Sequence, residues 1–552
     1  MRKDVVILVE EIIRKQWEHL ALTDFYGMEL QYKDVARKIA KLHLLFEHAG
    51  IHPGDKIAIC GKNSAQWTVA FFSVMAYGAV VVPLLHEFKP DNLHHLLTHS
   101  DARLFFVDDS VYENLDPSNM AALEGVISLK DFSLLHSRSA QLTDARSRLN
   151  ELFGQKYPER FTPEDVKYFE VTDAESLALI NYTSGSTGFS KGVMLSHKAI
   201  WSNIYAIQCL LPDLPKAGDS MVCLLPMAHM YGLVIEMIHG FIKGAHLFFL
   251  TRQPSPKVLL DAFRMAKPRL IITVPLIIEK IIKTKVFPTL DKPMTRLLLK
   301  TPVVDKKILE KVRVALMETF GGNLEMMIVG GAALNREVEE FLMRIKFPIT
   351  VGYGMTECAP LIGYTHHSTF RHGCCGQVVP RMDVKIQSPD PEHIPGEILV
   401  KGDNVMLGYY KNPDATKAVM RPDGWMLTGD VGTLDKDNYI YIRGRNKTMI
   451  LGPSGQNIYP EEIEQKINNM PLVAESLVID AGEGKLQALI YPDLDEVRKE
   501  GLTQEQIRER LQTEIDEVNA LLETYSRISS LKVMSEEFEK TPKRSIKRYL
   551  YT

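Results

Sequence analysis

From about residue 56 to residue 352, short apolar runs alternate with segments of helical periodicity, and no other feature of the chain constrains its fold as strongly. Short apolar runs separated by helices are typical of βαβ units, whose strands pair in parallel between layers of helices. The sequence therefore predicts an α/β fold with layered, mostly parallel sheets. The apolar runs lie at residues 56–60, 80–83, 103–107, 177–181, 221–225, 246–250, 270–273 and 325–329.

The pattern changes twice toward the C-terminus. After Gly373, short strands such as residues 396–400 and 439–442 are punctuated by Gly, Pro and Asp, which predicts a small β-rich subdomain. From Asn446 a compact α+β pattern follows. We predict an N-terminal domain at residues 1–446, with the β-rich subdomain at 373–446, and a small C-terminal domain at 447–552. The polar stretch 110–172 fits either an insertion or a loosely packed surface region.

Composition excludes several classes of protein. With 45% apolar and 24% charged residues, the chain is an ordinary globular protein. A formal charge of −4 gives no overall attraction for nucleic acid, so we expect no nucleic-acid partner.

The six cysteines form no CxxC pair, which favours a reducing, cytoplasmic location. The strongly apolar stretch 270–278 is far shorter than the ~20 residues of a transmembrane helix, so no spanning segment is expected. Residues 5–9 precede two glutamates and predict an amphipathic helix.

A loop of unusual composition follows the strand predicted at 177–181. Residues 182–192 read YTSGSTGFSKG, with hydroxyls, glycines and a lysine that can surround an oxyanion with N–H donors and one cation. A flexible Ser/Gly surface loop is the alternative. A Walker A loop is excluded, because Ser190 and Gly192 stand where that motif requires Gly and Ser or Thr. We interpret the loop as a phosphate-binding site.

With this loop, the chain resembles the adenylate-forming superfamily of acyl-CoA synthetases, amino-acid adenylation domains and luciferases. The family's loop is similar to TSGSTGxPKG, and here Ser190 replaces the usual Pro. Further motifs follow in the family's order over nearly the whole chain: LPMAHMYG at 225–232, GGAA at 330–333, GYGMTE at 352–357, GEI at 396–398, GYY at 408–410, GWMLTGD at 424–430, GRNK at 444–447 and YPEEIE at 459–464.

The resemblance implies a role for each matched residue in joining a carboxylate to AMP. ATP, Mg²⁺ and coenzyme A would be the small molecules used, and Glu357 would hold the metal. Asp430 and Arg445 would hold the ribose, Thr356 the α-phosphate, and Tyr353 would stack on adenine. The remaining expected ATP or AMP contacts are Thr183, Ser184, Ser186, Thr187, Lys191, Gly331, Ala332, Gly352 and Gly354.

The second half-reaction and the acyl site rest on the same resemblance. Lys447 matches the hinge about which the family's mobile C-terminal domain rotates between two half-reactions. Gly455 would line the pantetheine channel, and His229 would shape the site near the acyl carbonyl. Acyl contacts are expected from three further residues: Met230, Gly330 and Leu361.

The tail departs from the family's pattern, which is close to PKTxxGKIxR. Ser545 occupies the position of the lysine that bridges carboxylate and α-phosphate, while Lys543 and Lys547 lie two residues to either side and could substitute. A slow first half-reaction, a specialised enzyme and a purely solvated basic tail are the alternatives.

Two histidine clusters suggest a metal site, but their spacing is wrong for one. No HExxH motif is present, and neither cluster has the spacing of a closed zinc site, so both are interpreted as structural. They comprise His94, His95 and His99, and His366, His367 and His372 with Cys374 and Cys375.

The expected function is a fatty-acid–CoA ligase for medium to long chains. The aliphatic residues around 227–241 suit a hydrocarbon chain, and no aspartate is present at 229–236 to bind an α-amino group, although Glu236 and Asp261 are near. Acyl carrier protein as acceptor, a catalytically weakened adenylate or acyl sensor, and an unfavoured P-loop kinase are the alternatives. Peripheral membrane contact during uptake of an insoluble acid also stays open.

Overall fold

The computed structural model describes residues 4–183, 190–251, 256–301, 304–451, 456–482, 485–541 and 545–551. Within these residues the strands, in chain order, are β1 Leu20–Asp24, β2 Glu29–Gln31, β3 Lys56–Cys60, β4 Val80–Leu84, β5 Ala102–Val107, β6 Gly125–Ser128, β7 Leu134–Ser137, β8 Leu177–Thr183, β9 Lys191–Ser196, β10 Ser220–Cys223, β11 His246–Phe249, β12 Leu270–Thr273, β13 Met326–Val329, β14 Ile349–Val351, β15 Tyr353–Gly354, β16 Leu361–Tyr364, β17 Gln377–Val378, β18 Met382–Gln387, β19 Gly396–Gly402, β20 Gly408–Tyr409, β21 Met426–Leu434, β22 Ile440–Arg445, β23 Ile450–Leu451, β24 Asn457–Ile458, β25 Val473–Asp480, β26 Leu486–Pro492 and β27 Ile528–Val533.

The α-helices, in the same order, are α1 Val5–Lys15, α2 Tyr32–His48, α3 Ala65–Ala76, α4 Pro90–His99, α5 Asp109–Tyr112, α6 Ala140–Ser147, α7 Leu149–Lys156, α8 His197–Leu210, α9 His239–Ile242, α10 Pro256–Ala266, α11 Pro275–Ile281, α12 Phe287–Leu290, α13 Pro293–Leu299, α14 Val304–Thr319, α15 Arg336–Arg344, α16 Pro413–Val419, α17 Pro460–Ile467, α18 Leu494–Glu500 and α19 Gln504–Ala520. Two π-helical turns, Gly232–Ile238 and Ile282–Val286, lead into α9 and α12.

The large sheet confirms the predicted α/β fold. Its strand order is β20-β9-β8-β4-β3-β5-β6-β7, and the run from β8 to β6 is parallel, whereas the outer strands pair antiparallel. Two further sheets, β10-β11-β1-β2 and β12-β13-β14, are also mostly parallel. The apolar runs of the sequence become their buried strands because a parallel sheet is covered on both faces.

The helix α3 lies entirely inside the core. Every residue of α3 is buried, and a helix that is apolar all round is stable only inside a core. Ser64 caps its first turn by accepting a hydrogen bond from the Trp67 N–H group. The predicted amphipathic N-terminal helix is α1, which buries its apolar face.

The polar stretch 110–172 is more ordered than its composition suggests. It supplies β6, β7, α6 and α7, and Leu142, Leu149 and Leu152 join the main core. The alternative of a loosely packed surface region is therefore wrong, because many apolar residues of this stretch are buried in the main core.

The C-terminal residues form an α+β unit with its own hydrophobic core. The antiparallel pair β25–β26 and the parallel strand β27 pack against α17 and α19, close to the elements predicted from the pattern. The boundary at residues 446 and 447 stays a prediction. In the described part of the chain, no helix is both long and apolar enough to cross a membrane.

Asp24, at the end of β1, gives a test of this packing. Its Oδ1 accepts a hydrogen bond of 2.8 Å from the Ala65 N–H group at the start of α3. Burial, opposed by this bond and reinforced by the charge of Asp108, raises the pKa of Asp24 from 3.8 to about 6. The folded state therefore binds the Asp24 proton more tightly than the unfolded state does. Protonation of Asp24 stabilises the folded state at low pH, and this contribution is lost as pH rises through about 6.

We expect Asp24→Asn to raise the free energy of unfolding by about 2 kcal/mol at neutral pH and to leave it nearly unchanged near pH 4, because Asn cannot ionise. Urea unfolding of both proteins at the two pH values measures this. If the unfolding free energies of the two proteins differ by the same amount at both pH values, the raised pKa of Asp24 is contradicted.

Candidate functional site

The candidate site is a mostly apolar cavity at the carboxyl ends of the parallel strands β13 and β14. Each strand leads directly into a glycine, Gly330 and Gly352, and the Gly352 N–H group donates to the Val329 carbonyl over 2.9 Å. Ligands of α/β sheets commonly bind outside the carboxyl ends of strands. The lining residues are Ile207, Leu210, Leu211, His229, Tyr231, Ile235, Ile328, Gly330, Gly331, Gly352, Tyr353, Gly354, Met355, Thr356, Pro360, Leu361 and Tyr364.

This cavity brings together many of the residues expected from the motifs. Its walls come from three segments far apart in sequence: the LPMAHMYG segment, the end of β13, and the segment from β15 to β16. A fourth part of the wall, which no motif indicated, is the C-terminal end of α8 with Ile207, Leu210 and Leu211. The expected residues that line the cavity are His229, Gly330, Gly331, Gly352, Tyr353, Gly354, Thr356 and Leu361.

From the cavity wall, Tyr353 begins a chain of polar contacts that leads to a buried carboxylate and an exposed guanidinium. The Tyr353 hydroxyl donates to Oδ2 of Asp430 over 2.6 Å, and the Arg445 guanidinium lies 3.1 Å from Oδ1. Asp430 and Arg445 are register partners on β21 and β22, so the antiparallel pairing places them side by side. Burial and the neighbouring Asp430 carboxylate raise the pKa of the Tyr353 hydroxyl far above its usual range. The tyrosine therefore stays neutral and acts as a hydrogen-bond donor.

The turn that carries Thr356 and Glu357 is held by Asn203 of α8. The side-chain amide of Asn203 donates to the Cys358 carbonyl over 2.8 Å, and its oxygen accepts from the Leu361 N–H group, also over 2.8 Å. Gly354 lies so close to this turn that a Cβ atom there would be 2.3 Å from the Pro360 carbonyl oxygen. No motif indicated Asn203, because its partners are distant in sequence.

Glu357 and Lys191 lie against the same tyrosine. The Tyr409 hydroxyl donates to Oε1 of Glu357 over 2.9 Å, and the Lys191 ammonium is 4.8 Å from the centre of the Tyr409 ring. A half-buried carboxylate and a nearby cation are the donor types that a magnesium-bound polyphosphate requires. Thr183, on the strand paired with β9, donates from its hydroxyl to the Lys191 carbonyl over 3.5 Å.

His229 and Tyr231 form the opposite wall. The Tyr231 N–H group lies 3.3 Å from Nδ1 of His229, so this nitrogen acts as the acceptor and the ring presents Nε2 as its other polar atom. Gly330 leaves room for Tyr231, since a Cβ atom at Gly330 would be 2.9 Å from the tyrosine ring.

Glu236, in the π-helical turn behind this wall, is fully buried. Its two carboxyl oxygens accept the Leu224 and Leu225 N–H groups over 3.1 and 3.0 Å. Burial raises the pKa of Glu236 well above its usual range, against the effect of these two hydrogen bonds. Its oxygens are therefore engaged by the backbone. Asp261, the other acid considered near the acyl site, lies 3.6 Å from Arg264 on α10.

Several expected residues lie away from the cavity lining. Met230 is fully buried in the main core, and Ala332 is exposed beyond Gly331. Lys447 is exposed on the turn after β22. Their roles stay predictions. The expected contacts that lie outside the described residues are Ser184, Ser186, Thr187, Gly455 and Lys543.

The tail folds back on the C-terminal unit. Ser545 is exposed, and its carbonyl accepts from the Thr541 N–H group over 2.8 Å. The Lys547 ammonium donates to Glu539 over 2.9 Å, and this contact raises the pKa of the lysine. Lys540 pairs with Glu475 over 2.7 Å. In this arrangement the described tail lysines neutralise carboxylates of their own unit.

One histidine of each cluster contacts a nearby side chain. His99 lies 2.8 Å from the Tyr182 hydroxyl, and His372 pairs with the buried Glu339 over 2.8 Å. Across the described ranges, no group of three or more His, Cys, Asp or Glu residues is arranged to hold a metal ion.

Comparisons with known proteins agree with the geometry. A family model described as "AMP-binding enzyme" matches residues 9–410, and one described as "AMP-binding enzyme C-terminal domain" matches 447–551. The chain is 26% identical over 497 residues to the long-chain-fatty-acid–CoA ligase FadD15 of Mycobacterium bovis, covering 86% of this chain and 78% of the relative. It is 27% identical over 503 residues to probable 4-coumarate–CoA ligase 1 of Dictyostelium discoideum, covering 88% and 84%. Its fold resembles ATP-bound MatB from Rhodopseudomonas palustris, with a TM-score of 0.76, 23% identity, and coverage of 100% and 98%.

Asn203 can be tested against a matched residue outside the site. Asn203→Asp keeps the acceptor for Leu361 but loses the donor to Cys358, so we expect a loss of about 1–3 kcal/mol in unfolding free energy and weaker ATP binding. Asn519 bridges Ile528 in the same way, over 3.0 and 2.8 Å, and Asn519→Asp is the control. Urea unfolding and calorimetric titration with Mg²⁺-ATP measure both effects. Equal ATP affinity in the two variants would contradict a role for Asn203 in holding the turn.

Tyr353→Phe tests the buried polar chain. Removing the hydroxyl frees Asp430 to rotate, so we expect the Kd for ATP to rise about three- to ten-fold, which corresponds to one hydrogen bond. Tyr32→Phe removes another buried tyrosine hydroxyl, which bonds the Phe241 and Ala245 carbonyls, and should leave ATP affinity unchanged. The same titration measures both. An unchanged Kd in Tyr353→Phe would show that the hydrogen bond from Tyr353 to Asp430 does not contribute to nucleotide binding.

Proposed function

The chain belongs to the AMP-binding enzyme family, and from that premise we propose that it is a fatty-acid–CoA ligase acting on medium to long chains. The carboxylate of the acid attacks the α-phosphorus of ATP, which gives acyl-adenylate and pyrophosphate. The thiol of coenzyme A then attacks the acyl carbonyl, which gives the thioester and AMP. The observation that carries this proposal is the apolar cavity whose wall includes Tyr353, the residue that bonds Asp430 beside Arg445.

The cavity supports a hydrocarbon acid. Its side chains are mostly aliphatic or aromatic, and burying a chain there yields roughly 0.8 kcal/mol per CH₂ group. Glu236 does not line the cavity, and its two carboxyl oxygens already accept backbone N–H groups, so it is not placed to receive an α-amino group. These features favour a fatty acid over an amino acid.

The polar residues support a division of roles at the nucleotide. Asp430, kept in orientation by Tyr353 and Arg445, would accept hydrogen bonds from the ribose diol. Thr356 would donate a hydrogen bond to a phosphate oxygen, and Lys191 would neutralise the charge that opposes attack by a carboxylate. Glu357 would hold Mg²⁺, which neutralises phosphate charge when bound. His229 would stand beside the acyl carbonyl.

The second half-reaction requires access for the thiol. We propose that the C-terminal domain, residues 447–552, turns about Lys447 and brings the segment of Gly455 to the acyl-adenylate. The two relatives, a long-chain-fatty-acid–CoA ligase and a probable 4-coumarate–CoA ligase, are both named for coenzyme A and differ in the acid. Acyl carrier protein remains the alternative acceptor.

Ser545 favours one competing function. Because it replaces the expected bridging lysine and Lys547 is paired with Glu539, the protein could bind an adenylate without forming it efficiently. A sensor of this kind would bind ATP and acid but release no pyrophosphate.

Incubation with Mg²⁺-ATP, a series of acids from acetate to oleate and 4-coumarate, with and without coenzyme A, tests the proposal. We expect AMP, pyrophosphate and acyl thioester together, with an optimum among medium to long chains, because longer chains bury more CH₂ groups. Asp430→Asn should lower kcat/KM by at least about ten-fold.

The other outcomes are distinct. ADP as product would exclude adenylation, and an optimum with 4-coumarate would replace the fatty acid by an aryl acid. Pyrophosphate without thioester would point to another acceptor. If ATP binds but no acid is turned over, Ser545→Lys should restore activity under the sensor hypothesis and have no effect otherwise.

A further inference from the structure

The helix α13 exposes large apolar side chains to an unusual degree. Met294, Leu297 and Leu298 are 71%, 65% and 41% exposed, and their spacing of three and four residues places them on one face. Thr295 and Leu299 are half-buried, and Leu299 packs against the second hydrophobic core. Single exposed apolar residues are common, but three on a seven-residue helix form a patch that marks an interaction site.

Lysines surround this patch. Lys292 and Lys300 are exposed at the two ends of α13, and Lys306 and Lys307 are exposed in the first turns of α14, which packs against α13. We call these four lysines and the three apolar side chains the α13 face. Between residues 280 and 313 the sequence has ten lysines or arginines and three acidic residues, whereas the whole chain has a net charge of −4. The region is therefore a local cationic surface on an otherwise acidic protein.

We propose that the α13 face docks on the surface of an anionic lipid bilayer. The lysines would lie at the headgroups, and the apolar side chains would insert at the boundary of the acyl chains without spanning it. The acidic remainder of the chain would be repelled by the same surface, so one orientation is favoured.

The chemistry of the face favours lipid over an acidic protein partner. Protein interfaces are enriched in aromatic residues and Arg and depleted in Lys, and Leu is under-represented among their strongest contacts. The α13 face has four lysines, two leucines and no aromatic residue, and only Met294 is of a type enriched at protein interfaces. An acidic carrier protein is therefore an outcome of the test.

Co-sedimentation of the full chain with vesicles tests the proposal without requiring ligase activity. We expect binding to vesicles of phosphatidylcholine mixed with phosphatidylglycerol, weaker binding at higher salt, and little binding to phosphatidylcholine alone. Because the assay measures only the binding of the protein to vesicles, its result is independent of whether the proposed ligase function holds.

Matched variants identify the surface. Leu297→Asp should weaken vesicle binding about five-fold, whereas Leu521→Asp, at a residue that is 67% exposed in the C-terminal unit, should not. The double change Lys292→Glu and Lys300→Glu should weaken binding at least about ten-fold. The double change Lys417→Glu and Lys436→Glu alters the net charge equally at exposed residues elsewhere and is its control. ATP affinity should be unchanged in all four, which verifies folding.

Three results would overturn the proposal. These are no binding of the wild type to anionic vesicles, equal loss in the variants and their controls, and binding of an acidic carrier protein through the α13 face in place of vesicles.

Discussion

The placement of the candidate site depends on one buried amide. Asn203 satisfies the Cys358 carbonyl and the Leu361 N–H group, which follow Thr356 and Glu357 in the chain, both over 2.8 Å. Each of these backbone groups would otherwise be buried without a partner, which is costly inside a protein. Because the same helix ends in the cavity wall, α8 couples the shape of the apolar pocket to the position of the polar turn.

The site separates its two chemical tasks by environment. The buried Asp430 carboxylate accepts a hydrogen bond from Tyr353 on one oxygen and pairs with Arg445 on the other, which fixes its orientation. Glu357 and Lys191 lie beside Tyr409 with opposite charges, which suits an ion and a polyphosphate. The rest of the cavity lining is mostly aliphatic or aromatic, so the polar contacts of the site are gathered around Tyr353 and Tyr409.

Much of the fold was predictable from short-range pattern, and the site less so. The apolar runs became the expected strands, and Tyr353, Thr356 and His229 lie together in the cavity as the motifs indicated. Met230 shows the limit of prediction from motifs. It follows His229 directly, but its side chain is buried in the core, because neighbouring side chains on a turn point in different directions. The stretch 110–172 was ambiguous because its apolar residues follow no clear period, and their burial in the main core depends on packing against distant elements.

By itself, the sequence determined the α/β class and the order of the phosphate, turn and ribose motifs, because periodicity and loop composition are local properties of a chain. The tertiary structure alone decided that Asn203 bonds Leu361, 158 residues away, and that Tyr353 bonds Asp430, 77 residues away. It also decided that α13 turns Met294 and Leu297 outward. Hydrogen bonds and burial between distant residues exist only once the sheets and helices have packed, so no local pattern encodes them.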